Sequence, residues 1–362
     1  MRIGVLRERM TGERRVALIP DSVARLTKGG FEVRVERDAG LAAGFPDALY
    51  TTAGATISPD ASTAADADLV LAVRRPTTEQ VGELREGSVL VALLQPATAG
   101  ELASALGQRK VKALSLEKVP RITKAQSMDV LSSQSTAAGY KAALIGAQEL
   151  VKFLPMLTTA AGTIAPARAF ILGAGVAGLQ AIATARRLGA ITSAFDIRPV
   201  AREQVQSLGA TFVASEAVAQ DAETAGGYAR QQTEDEQART LATIGKHIVD
   251  QDLVITTALI PGRPAPRLIT ADMVRSMRPG SVIVDLAAEA GGNCELTEPD
   301  EVVEVNGVKI LGPTNLPSTV PLHASQMFSR NLETLIKHLA PDGALALNEQ
   351  DEIVSAMLLP AS

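Results

Sequence analysis

Ala169-Phe170-Ile171-Leu172-Gly173-Ala174-Gly175-Val176-Ala177-Gly178 is the stretch on which the fold turns. Its first four residues form an apolar run suited to a strand covered on both faces, and a helix is expected from Leu179 to Leu188. A second apolar run, Ala190 to Phe195, follows and ends on Asp196. Glycine spacing in this context is a dinucleotide-binding fingerprint. Gly173 permits the tight turn, Gly175 lets the amides around Ala174 and Val176 approach a pyrophosphate, and Gly178 lets helix pack on strand. The positive end of the helix dipole then faces the phosphates.

Asp196, near the usual offset of ~20 residues from the glycines, is placed to accept hydrogen bonds from a ribose and to repel a 2′-phosphate. Arg198 and Arg202 lie close and could accommodate that phosphate, but a carboxylate held at the ribose dominates, so NAD(H) is expected over NADP(H). Ile197 and Arg198 complete this edge. Ligands of open α/β sheets cross the carboxyl ends of the strands, so the segment after the strand Asp252–Thr256 places Ala258 and Leu259 beside the nucleotide.

The 362 residues suggest two to three domains. Lys and Arg number 35 against 40 Asp and Glu, with no long basic run, which argues against nucleic acid as a partner. One cysteine, Cys294, rules out an intramolecular disulfide framework and fits a reducing compartment. No apolar signal-peptide core precedes Arg2–Leu6, which reads as a strand. The longest weakly polar stretch, Ala169 to Ala185, is short of a membrane span of about 20 residues. A soluble, cytoplasmic α/β protein without membrane insertion is expected, and no metal site.

Strands at Arg2–Leu6, Phe31–Glu36, Asp68–Val73, Ser88–Leu94 and Val111–Leu116 alternate with helical spacing at Asp21–Lys28 and Thr98–Gln108. Such alternation implies parallel pairing with right-handed crossovers. The expected architecture is two Rossmann-like, doubly wound parallel-sheet domains separated by a cleft. Residues 1–125 with a returning 320–362 make a partner domain, and 126–319 make the nucleotide domain. Within the latter, a long helix is expected at about Thr136–Phe153 and further strands at Thr211–Ala214, Ser281–Asp285 and Val308–Leu311. A final helix, His323–Leu339, returns to the first domain, leaving a tail packed there.

Two polar stretches stand apart. Val119 to Ser135 has two charge signs and little periodicity, and reads either as a binding loop held over a cleft or as a solvated linker. Ser215 to about Glu236 is an insert containing Gly226-Gly227-Tyr228, either a hinge that lays Tyr228 over a ligand or a disordered loop.

Arg121-Ile122-Thr123-Lys124-Ala125-Gln126-Ser127-Met128-Asp129, followed by Leu131-Ser132-Ser133-Gln134-Ser135, resembles the Arg-Gln-Asp loop of the proton-translocating nicotinamide nucleotide transhydrogenases. Ala225-Gly226-Gly227-Tyr228-Ala229 is similar to their mobile loop, and the resemblance runs from Arg2 to about Pro341. It matches their extramembranous NAD(H)-binding component, the alpha-1 subunit or domain I. The resemblance implies that hydride passes directly between NADH on this chain and NADP(H) on a partner subunit, with proton translocation in separate membrane-spanning subunits. Those membrane helices are expected on another chain, since this one stops at Ser362. It implies further a homodimer, peripheral to the inner membrane through its partners.

The catalytic set implied is Gln126, Arg121 and Asp129. Arg121 would lie near the phosphates and Gln126 at the nicotinamide end, with Ser127 and Met128 beside it. Asp129 and Ser132 would bond the nicotinamide ribose and carboxamide, and Gly227 and Tyr228 would close over the nucleotide. The alternative is an alanine-dehydrogenase-like amino-acid oxidoreductase, a family that shares Glu13-Arg14-Arg15-Val16-Ala17-Leu18-Ile19-Pro20 and a substrate-binding arginine at Arg15. Against it, Arg74-Arg75-Pro76 replaces a Lys-Glu-Pro, Glu289 replaces an aspartate before Gly-Gly, and Gln95 replaces a histidine. Oxidising an amino acid needs a group that cycles a proton near neutral pH, which glutamine cannot do. His247, His323 and His338 read as structural, and Cys294 as a buried small residue.

Overall fold

The computed structural model describes residues 1–214, 232–260 and 263–360. The chain divides into two units: Met1–Gln134 with Pro317–Ser362, and Ser135–Leu316. The first boundary falls beyond the expected 125/126, because Ala125, Met128 and Val130 are buried in the apolar core of unit 1. The 119–135 stretch is thus tied to that core.

Unit 1 begins β1 (Arg2–Val5), α1 (Pro20–Lys28), β2 (Glu32–Glu36), α2 (Asp47–Thr52), β3 (Thr56–Ser58), β4 (Leu69–Leu71), α3 (Thr78–Gly82), β5 (Val89–Ala92), α4 (Gly100–Gln108) and β6 (Lys112–Ser115). Proline at its first position and Asp21 in its first turn start α1; Arg25 and Lys28 fall in its last turn, and Gly29 follows. The strands form one parallel sheet in the order β3-β2-β1-β4-β5-β6. Helix α5 (Val130–Glu149) starts six residues before the expected Thr136. The Asp129 carboxylate caps it, accepting from the Ser132 amide at 3.0 Å and the Ser132 hydroxyl at 2.6 Å.

Unit 2 continues with β7 (Leu157–Thr159), β8 (Gly162–Ile164), β9 (Arg168–Leu172), α6 (Val176–Arg187), β10 (Ile191–Phe195), α7 (Ala201–Ser207), β11 (Thr211–Phe212), α8 (Glu234–Ile248), β12 (Leu253–Thr256), α9 (Ala271–Ser276), β13 (Val282–Asp285), β14 (Val302–Val305) and β15 (Val308–Leu311). Its sheet runs β11-β10-β9-β12-β13-β15-β14, parallel except for the antiparallel edge strand β14. All four residues of β12 and of β13 are buried, as strands covered by helices on both faces must be. The hairpin β7–β8 and the edge strands β3 and β14 have no counterpart in the expected strands. Three or four residues of mixed polarity carry no readable period.

Helix α10 (Pro321–Leu339) and α11 (Glu352–Met357) belong to unit 1. The hydroxyls of Ser325 and Ser329 on α10 accept from the amides of Val16 and Ile19, and Ser318 just before it accepts from Arg14. These bonds satisfy the irregular segment between β1 and α1. The expected tail is α11, with Ile353, Val354 and Met357 buried in the same core.

Candidate functional site

In both sheets strand order reverses at the centre, between β1 and β4 in unit 1 and between β9 and β12 in unit 2. Such reversals open crevices at the carboxyl ends of strands. In unit 2, β9 runs into Gly173, whose φ of 96° only glycine adopts readily. A Cβ on Gly173 would stand 2.7 Å from Thr257 Oγ1, and one on Gly178 would stand 1.9 Å from the Gly173 carbonyl oxygen. A Cβ on Gly175 would meet nothing within 4 Å. Two glycines are therefore demanded by packing, and the third leaves one side of the turn open. Gly175 caps α6 without a side chain, so the first-turn amides from Val176 onward form a ready anion site.

Asp196, 5% exposed, sits across this turn. Its carboxylate accepts from Ala174 N at 2.7 Å, Arg198 N at 2.8 Å, Arg198 Nε at 3.0 Å and Arg198 Nη2 at 2.9 Å. A carboxylate has about four acceptor sites, so a ribose hydroxyl reaching Asp196 has to share or displace the Arg198 guanidinium. Ile197 packs partly buried beside the core. On the other side of the crevice, Thr257 donates its hydroxyl to the Gly173 carbonyl at 3.0 Å. Ala258 is held at both backbone atoms by the fully buried Asn293: its N–H donates to Oδ1 at 3.0 Å, and its carbonyl accepts from Nδ2 at 2.9 Å. Leu259 is exposed. Asp285, also fully buried, accepts from Thr256, Ala287, Cys294 and Thr297, bracing the loop that presents Asn293. The thiol of Cys294 is pushed up to about 11 by burial and is no nucleophile.

Neither Asn293 nor Asp285 stands out in the sequence. Asn293 acts through Ala258 and Pro266, about 30 positions away, and Asp285 joins Thr256 across the sheet to partners 2 to 12 positions on, which no motif signals. The same holds for Gly139 on α5, where a Cβ would stand 2.0 Å from the Ala177 carbonyl oxygen and drive α5 off α6.

Unit 1 carries the other expected group. Short 3-10 turns over Thr123–Met128 bury Ala125 and Met128 and leave Gln126 and Ser127 exposed, with Arg121 also exposed. The side chain of Met128, expected at the cofactor, is an anchor of this loop in the core. The expectation for Asp129 and Ser132 meets a local role: they bond each other at the start of α5. Two residues on, Gln134 is buried, accepting from Arg15 Nη1 at 2.8 Å and donating to the Ala324 carbonyl at 3.0 Å.

Arg15, 2% exposed, is gripped as well by a fork from Glu13, and Arg74 Nε reaches the same Glu13 at 3.4 Å. Gln95, another of the positions that set the alternative family apart, donates its backbone N–H to Glu117 Oε1 at 2.7 Å. His247 contacts Ser193 and stacks edge-on against Phe170, and His338 pairs with Asp351. Gly227 and Tyr228 lie outside the described residues.

Comparison with known proteins gives the family of the chain. Residues 4–138 match the description "Alanine dehydrogenase/PNT, N-terminal domain" and residues 142–361 match "Alanine dehydrogenase/PNT, C-terminal domain". The chain is 49% identical to the first section of the NAD(P) transhydrogenase alpha subunit of Rhodospirillum rubrum, over 98% of its length and 95% of that protein. To alanine dehydrogenase of Bacillus subtilis it is 34% identical, over 89% and 81%. A solved transhydrogenase structure from Sinorhizobium meliloti superposes with a TM-score of 0.91 at 46% identity, covering 99% of this chain and 98% of that one.

Proposed function

The chain belongs to the alanine dehydrogenase/PNT family, as an NAD(P)+ transhydrogenase component, and we propose that it holds NADH and presents its nicotinamide to NADP+ on a partner subunit. Hydride passes directly between the two nicotinamides. The cofactor supplies the reactive C–H bond, and the protein supplies position and electrostatics. The pyrophosphate lies at the start of α6, with Gly173, Ala174, Gly175 and Val176 around it. The adenosine ribose lies at Asp196, Ile197 and Arg198, and the chain past Ala258 and Leu259 lies along the crevice. Arg121, Gln126, Ser127, Asp129 and Ser132 serve the nicotinamide end, and Gly227 and Tyr228 close over the nucleotide.

The observation that carries this reading is the display of Gln126. It is exposed on a loop whose neighbours Ala125 and Met128 are buried, so a group with no proton to cycle is held outward on a fixed support. Coupling to proton movement falls to partner subunits, with this chain peripheral to the membrane. Among the described residues no helix is long and apolar enough to cross one. Exposed Val151, Phe153, Met156 and Ile164, on and before the hairpin β7–β8, offer an apolar surface that supports a homodimer.

The test mixes the full chain with an NADP(H)-binding component and follows hydride exchange between NADH and an NADP+ analogue. Gln126→Asn is expected to slow transfer by about tenfold or more while NADH affinity changes by about twofold or less. Equal losses in both would mean that Gln126 serves affinity. Robust alanine-dependent NADH formation by the chain alone would establish the amino-acid oxidoreductase instead.

A further inference from the structure

We propose that Asn331, on α10, is the positioning residue that orients Gln126. The inference rests on the reading of the Arg121–Ser132 loop given above. Asn331 Nδ2 donates to the carbonyl oxygen of Ser127 at 2.8 Å, and that carbonyl belongs to the residue next to Gln126. The other end of the same amide, Oδ1, is buried with no hydrogen-bond partner. Asn331 as a whole is half-buried, yet its oxygen is buried unpaired, and the donor bond to Ser127 offsets the cost of that orphan oxygen. The reverse orientation of the amide sets its oxygen against the Ser127 oxygen, so the donating orientation is the one the contact permits.

The support behind this bond is stiff. Phe328, Leu332 and Leu335 of the same helix are fully or almost fully buried in the core of unit 1. Within the 3-10 turns the Gln126 carbonyl accepts from the Asp129 N–H at 3.4 Å, a long bond. The Gln126 side chain is exposed, and the loop is pinned by Ala125 and Met128 on either side of the Gln126–Ser127 pair. Between those pins, the shorter Asn331 bond at 2.8 Å acts with the Asp129–Gln126 bond to set which way the Gln126–Ser127 backbone faces. A displacement of about 1 Å at the transfer site is enough to slow a reaction that depends on two aligned nicotinamides.

The experiment uses the full chain mixed with an NADP(H)-binding component. Single-turnover hydride transfer, NADH affinity and thermal unfolding are measured for Asn331→Leu, for Asn331→Asp, for Gln126→Asn and for the Asn331→Asp, Gln126→Asn double variant. Asn331→Asp keeps the shape and removes the donor, and so stands in if the leucine variant fails to fold. Both Asn331 variants are expected to slow transfer by about tenfold with NADH affinity held within about twofold. The double variant is expected to be no slower than Gln126→Asn, because the two residues act through one orientation.

Fully multiplicative losses in the double variant, or parallel losses of rate, affinity and melting temperature, would overturn the proposal. If Gln126→Asn is slow while Asn331→Asp transfers at the parent rate, only the role of Asn331 falls. If Gln126→Asn itself is unimpaired, the reading of the loop falls with it.

Discussion

The two strand-order reversals follow one topology and are finished in opposite ways. In unit 1 the amides beyond the central strands are met by the chain's own carboxyl groups, of which burial pushes the pKa of Glu8 up to about 8. Glu36 accepts from Arg7, Glu8 from Val73 and Arg74, and Glu117 from Leu94 and Gln95. Glu13 and Arg15 complete a buried charge cluster there. After β1 the chain runs fourteen residues before α1 begins, so no helix start is delivered to the crevice. In unit 2, β9 passes through a three-residue turn into α6, and the helix is capped by a glycine with no side chain. Topology makes the crevice; the chemistry of the next few residues decides whether internal carboxyl groups or a ligand's phosphates answer its amides.

That contrast can be broken most severely in unit 1. Glu13→Ala leaves Arg15 buried without its carboxylate, and a loss of about 3–5 kcal/mol in stability is expected by chemical denaturation. A loss below about 1 kcal/mol would mean that the cluster is solvated and the crevice is not filled by the protein itself. In unit 2 the sharper test is Gly178→Ala, which forces a Cβ against a backbone oxygen that cannot yield. About 3 kcal/mol of destabilisation and at least about tenfold weaker NADH binding by calorimetry are expected. Retained binding would show that helix and strand can part without harming the anion site.

A smaller effect concerns selectivity. NADH is expected to bind at least about tenfold more tightly than NADPH, or ~1.4 kcal/mol, and Asp196→Ala should erase most of that gap by freeing Arg198 to face a 2′-phosphate. If the variant keeps the preference, the Asp196–Arg198 pair is only a brace for the turn.

The smallest is a pH effect on α10. Burial alone would raise the carboxyl of Glu333, but hydrogen bonds from Arg25 and Lys337 outweigh it and hold it below the usual carboxylate range. A folded-state value lowered in this way adds stability above the unfolded value near 4.5, and that stability is lost as pH falls through the folded value. Arg25 is about half exposed, so the contribution is about 1 kcal/mol or less. Glu333→Gln should flatten the stability profile as pH falls from about 4.5 through the folded value, and an unchanged profile would remove the pair from any account of how α10 is held.

Much of the fold is legible because the signals are local. Parallel strands buried on both faces read as short apolar runs, and the span from β9 to Asp196 states its own geometry, since only glycine fits where a Cβ would strike backbone. Asp196 can be singled out from its spacing to the glycines, whereas Gln126 stands out only through the resemblance of its loop to a known family.

What the sequence does not settle depends on which of several possible partners a polar atom meets. The start of α5 falls earlier than the periodicity suggests because Asp129 takes the Ser132 amide and hydroxyl, a capping choice that competes with a nucleotide role for the same oxygens. That Asp196 is already engaged by Arg198, that Asn293 holds Ala258, and that Asn331 holds Ser127 follow only once β10, β13 and α10 are in place. By itself the sequence determined which segments form the buried central strands, which turn must be glycine, and which residues carry no proton to exchange. Tertiary structure alone decided which polar atoms are spent on the protein and which are left facing outward, because hydrogen-bond partners are chosen by distance in space rather than by distance along the chain.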